Sequence, residues 1–90
     1  MPEVRYARRA LASLRSYDSF LRPRNPSAAD AVLSEIERTC DLIAAFPGIG
    51  RMDQPSGLRV HITQRYRYRI LYQVTPDGIE IRDILHPSRR

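Results

Sequence analysis

Two periods divide the chain. From Ala7 to about Leu21, Ala10, Leu14, Tyr17 and Leu21 recur at spacings of four and three, which puts them on one helical face while Arg8, Arg15 and Ser19 point elsewhere. Arg22-Pro23-Arg24-Asn25-Pro26 ends that helix, because two prolines so close cannot sit inside a continuing one. A second helix starts either with Asn25 as cap and Pro26 in the first turn or with Ser27 as cap and Asp30 behind it. Its apolar stripe is Ala29, Val32, Leu33, Ile36, Cys40 and Ile43, opposite Glu35, Arg38 and Asp41, up to the stop at Pro47-Gly48. The two helices are expected to form an antiparallel hairpin.

Phe46 to Gly57 reads as a loop punctuated by glycine and proline, and beyond it the period falls to two. Leu58 to Thr63, Tyr66 to Val74 and Ile79 to Leu85 read as strands, the last two joined across Thr75-Pro76-Asp77-Gly78. Short connections make them an antiparallel meander. Val4-Arg5-Tyr6 alternates as well and supplies a short N-terminal edge strand. The expected architecture is α+β, a helix hairpin packed on a small antiparallel meander, as one domain over residues 1–90.

Alternation divides the central strand between a helix-facing set, Tyr66, Tyr68, Ile70, Tyr72 and Val74, and an opposite set, Arg65, Arg67, Arg69, Leu71 and Gln73. The next strand is expected to add Ile84 to that opposite face, among Glu80, Arg82 and His86. A face that mixes arginines with Leu71 and Ile84 fits an interface, or a solvated surface with stray apolar side chains.

Charge sharpens the picture. The formal charge is +5 and all fifteen basic residues are arginine. Guanidinium forks suit phosphate and carboxylate, although a GC-rich genome accounts for the missing lysines equally well. The sign calls for an acidic partner, nucleic acid or protein. The lone Cys40 excludes an internal disulfide, and with two histidines it matches no zinc spacing, so no metal or cofactor is expected. Cys40 itself continues the buried stripe of Ile36 and Ile43. No apolar run approaches the ~18 residues of a membrane span and no leader opens the chain, so a cytoplasmic protein is expected.

The order of elements, together with Pro47-Gly48-Ile49-Gly50-Arg51, Gly57-Leu58-Arg59, Tyr68-Arg69-Ile70-Leu71-Tyr72 and the ending Ile81 to His86 followed by Arg89, resembles the RelE/ParE superfamily of type II toxin-antitoxin toxins. The resemblance spans nearly the whole chain, although Ser13 stands where members often carry Asp. It implies a growth-inhibiting toxin and a cognate antitoxin that wraps it and carries any contact with operator DNA. An acidic, partly disordered antitoxin segment is expected on Arg67, Arg69, Leu71, Arg82 and Ile84.

The superfamily divides between ribosome-dependent mRNA endonucleases of the RelE kind and ParE-like poisons of DNA gyrase. A nuclease needs an acid, a base and cations around the phosphorus, and the positions that resemblance supplies for them are Arg59, His61, Arg69, His86 and Arg89. His86 is read either as such a group or as a structural or antitoxin contact, and His61 as a nuclease group or a surface residue. The Pro-x-x-Gly-Arg turn and the Leu85-His86 ending look more like ParE, which favours a non-enzymatic gyrase poison touching its target through Arg59, Arg69 and Arg89. A member that only binds its antitoxin and DNA is the third reading.

Overall fold

The computed structural model describes residues 2–88. Strand β1 (Glu3–Tyr6) leads into helix α1 (Arg8–Leu21) and helix α2 (Pro26–Ala45), and a 3-10 turn at Pro47–Ile49 connects to β2 (Arg51–Met52), β3 (Arg59–Ile62), β4 (Arg69–Thr75) and β5 (Gly78–Leu85). The sheet runs β1-β5-β4-β3-β2. β5 to β2 are antiparallel neighbours, whereas β1 lies parallel to β5, so the sheet is mixed and not a pure meander. A parallel neighbour requires a long crossover, and here everything between β1 and β5 supplies it.

The helices form where their stripes direct. Asn25 is the cap of α2, its side chain accepting from Ala28 N at 3.0 Å with Pro26 in the first turn. Arg22 fastens the junction of the helices by reaching Asp18 at 2.7 Å and Asp30 at 3.0 Å. Ala10 and Tyr17 from α1 and Val32, Ile36, Cys40, Ile43 and Ala44 from α2 close over Tyr68, Ile70, Tyr72, Ile79, Ile81 and Ile84 of the sheet.

Ile84 belongs to that core and is fully buried, which corrects its expected place on the open face. Tyr72 pairs with Ile81 but Leu71 pairs with Asp83, so Arg82 is an extra residue in β5. This β-bulge resets the alternation, and Ile81 and Ile84 both face the helices although three positions apart. Leu85 takes the outward position instead, in register with Arg69.

Arg67 is likewise not a strand residue. Residues 64–66 form a turn, and Arg67 follows it in the left-handed region at φ 63°. The Glu35 carboxylate holds this turn from α2, accepting from Arg65 N at 2.7 Å and Tyr66 N at 3.0 Å. Tyr66, Arg67 and Tyr68 therefore drop out of the strand expected from Tyr66 to Val74, which starts at Arg69, and Val74 near its other end is 49% exposed, beyond the cover of the helices.

Candidate functional site

The face of the sheet turned away from the helices carries a groove of about 400 Å³. Its floor is apolar, built from Val60 and Ile62 of β3, Leu71 of β4 and Leu85 of β5. Register explains the set: Val60 lies opposite Leu71, Ile62 opposite Arg69, and Arg69 opposite Leu85, and paired residues share a face. Two cations rim it, Arg69 half-buried in the sheet and Arg51 exposed on the edge strand. Asp53 also borders the groove, but its carboxylate turns into the following loop to accept from Ser56 N at 3.3 Å.

Of the residues singled out from the sequence, Arg69 and Leu71 meet in this groove. Arg82 sits further along the same face, donating to Gln73 Oε1 at 2.8 Å with Glu80 at 3.6 Å. Arg59 pairs with Tyr72, on the helix side, and its guanidinium donates to Gly50 O at 2.7 Å. At the end of the sheet Arg59 and Arg82 border one shallow depression with Gln73 and Val74. Arg89 lies outside the described residues.

His61 pairs with Ile70 and lines a separate cavity against α2 with Arg38, Leu42 and Ile49. His86 stands beyond the end of β5 in an aromatic cleft, its ring edge-on to Tyr68 at 5.3 Å and near Tyr17 at 5.9 Å. Ser88 N donates to its Nδ1 at 3.1 Å, so the proton of the neutral ring is on Nε2. Tyr17 fixes this end of β5 by donating to Ile84 O at 2.6 Å and accepting from His86 N at 3.0 Å. The four described candidates for a nuclease thus divide between the two faces of the sheet.

The sequence reading missed Arg51, Val60, Ile62 and Leu85 as groove residues. Leu85 was hidden by the bulge, which no period-two reading reveals. Arg51 was visible as the last residue of the Pro-x-x-Gly-Arg turn, yet nothing in the sequence shows that this turn feeds a strand beside β3.

A helix hairpin thus covers one face of the mixed sheet, and an arginine-rimmed apolar groove lies on the other. A family model described as ParE toxin of type II toxin-antitoxin system, parDE, matches residues 4–90. The chain belongs to the ParE toxin family. It is 28% identical over 87 residues to the Sinorhizobium fredii (strain NBRC 101917 / NGR234) protein named "Putative toxin Y4kP", covering 97% of this chain and 90% of that protein. A solved structure titled "Chromosomal ParDE TA system from P. aeruginosa" superposes with a TM-score of 0.80 at 21% identity over 96% of each chain, which matches the fold.

Proposed function

We propose that this toxin arrests growth by poisoning DNA gyrase, without enzymatic chemistry of its own, and is held inactive in the cytoplasm by a cognate antitoxin laid on the open sheet face. The family match over residues 4–90 carries the reading. The groove supports the antitoxin part: a floor of Val60, Ile62, Leu71 and Leu85 under two guanidinium groups suits an amphipathic segment with carboxylates. The division of Arg59, His61, Arg69 and His86 between two faces supports a non-enzymatic mode, since acid, base and phosphate-binding cations must converge on one phosphodiester. Operator DNA is contacted through the antitoxin.

Purified protein added to a gyrase supercoiling reaction and, in parallel, to a translation reaction tests this. Loss of supercoiling with trapped, cleaved DNA is the expected result. Messenger RNA cut at the ribosomal A site, or silence in both reactions, would overturn it. Arg69→Ala is expected to lose growth arrest on induced expression, and full arrest by that variant removes Arg69 from the target surface.

A further inference from the structure

The turn after α2 is held from the sheet by side chains. Tyr72, fully buried, donates its hydroxyl to Pro47 O at 2.6 Å and accepts from Gly50 N at 2.9 Å. Arg59 Nη1 then donates to Gly50 O at 2.7 Å. Both polar groups of the Gly50 backbone are therefore fixed by side chains of β4 and β3. The position admits no larger residue, because an added Cβ would lie 2.6 Å from the Tyr72 hydroxyl and 2.9 Å from Val60 O.

The residue that follows is Arg51. It opens a strand of only two residues, paired through Arg51 with Val60 and Met52 with Arg59. A strand so short contributes little order of its own, so the placement of Arg51 depends on the clamp behind it. The side chain of Arg51 is exposed over the apolar groove, and among the described residues none pairs with its guanidinium. Arg59, in contrast, has its guanidinium committed to the turn.

We infer that Arg51 is the residue that receives a carboxylate from an acidic, apolar partner segment in the groove, and that Tyr72 and Arg59 are positioning residues that hold it there. The inference rests on the reading of the open face as the antitoxin surface. A guanidinium on a fixed backbone loses less freedom when it binds, and apolar neighbours strengthen the pair by excluding water.

The test uses the full chain and two fluorescent peptides, Glu-Glu-Leu-Leu repeated and its Gln-Gln-Leu-Leu counterpart, followed by anisotropy. The wild-type protein should favour the glutamate peptide. Arg51→Ala should lower that affinity about tenfold and leave the glutamine peptide unchanged, as expected for one charge-assisted contact. Tyr72→Phe and Arg59→Ala should each weaken glutamate-peptide binding several-fold, Arg59→Lys should restore most of it, and neither should matter once Arg51 is alanine. Amide exchange at Gly50 should accelerate in Tyr72→Phe, and Arg59→Ala repeats the cycle should Tyr72→Phe fail to fold.

Discrimination between the peptides that survives Arg51→Ala, losses that add to it, or a wild-type protein indifferent to glutamate overturns the inference. A protein silent in the gyrase and translation reactions that still loses discrimination with Arg51→Ala overturns the proposed activity and leaves this inference standing.

Discussion

Cys40 is fully buried in the core and shares a side-chain hydrogen bond with Tyr6 of β1. Burial pushes the thiol up from 9.0 to about 11, with the nearby charges of Asp41 and Glu37 adding to the rise and the Tyr6 hydrogen bond opposing it. Burial also raises the Tyr6 hydroxyl above its ordinary value. Both groups hold protons in the folded state that the unfolded chain gives up sooner. The Cys40 contribution is complete below pH 9.0 and is lost as pH rises through about 11, whereas that of Tyr6 starts to fall only above 10.0. Urea titrations across that window should show falling stability, with a shallower fall in Cys40→Ala. A thiol reagent at neutral pH should label Cys40 no faster than the chain unfolds.

Glu35 carries the opposite sign. Partial burial raises its pKa, but the N–H groups of Tyr66 and Arg65, with Thr63 and Arg38, outweigh that effect and hold it below 4.5. Its contribution is present above pH 4.5 and is lost as pH falls through the folded value. Glu35→Gln keeps the shape and loses the charge. It is expected to cost about 1 to 2 kcal/mol near neutral pH and to flatten the acid limb of a stability-pH curve, measured by denaturant midpoints.

The helices and the long strands were legible at the scale of elements because their signals are local. The stripe from Ala29 to Ile43 and the Asn25-Pro26 start both depend on neighbours within a few residues. The features that escaped depend on distant groups. The turn at residues 64–66 is pinned by Glu35, about thirty positions earlier, and strand propensity alone cannot register it. The bulge at Arg82 exists to seat Ile81 and Ile84 together under the helices, so its warrant is tertiary packing. The groove was half legible for the same reason: Arg69 and Leu71 follow from alternation, and Leu85 replaces Ile84 only once the bulge is known.

Strand β1 was legible as a strand but not as a parallel one, and its docking site is narrow. Gly78 lies opposite Glu3, where any added Cβ would collide with the Glu3 backbone. Gly78→Ala should therefore push β1 off β5. The expected loss is about 2 kcal/mol, by analogy with other overpacked sites. Faster amide exchange at Ala7, whose N–H donates to Ile81 O at 2.8 Å, would locate the damage at this junction.

On the scale of the molecule, one sheet separates a face that stabilises the fold from a face free to bind. Leu71 and Ile84 lie on opposite sides of that division, one half-buried over the groove and the other fully buried beneath α1. Aspartate at each position separates the roles. Ile84→Asp places a charge in the core with no partner, a cost of several kcal/mol that a domain of this size is not expected to survive. It should abolish the thermal transition and growth arrest together. Leu71→Asp leaves its charge on the open floor of the groove, where solvent reaches it, and should shift stability by no more than about 1 kcal/mol. Its effect belongs to binding: a carboxylate in the floor repels an acidic segment and spoils the apolar contact. Cells without the antitoxin should keep growing with Leu71→Asp, because Arg69, the expected target contact, lies in the same groove; full arrest that the antitoxin no longer relieves would place the target elsewhere on the molecule. Loss of arrest by a folded Leu71→Asp, with the antitoxin absent, would place target and antitoxin on the same groove, and neutralisation would then be direct competition for Leu71 and its neighbours.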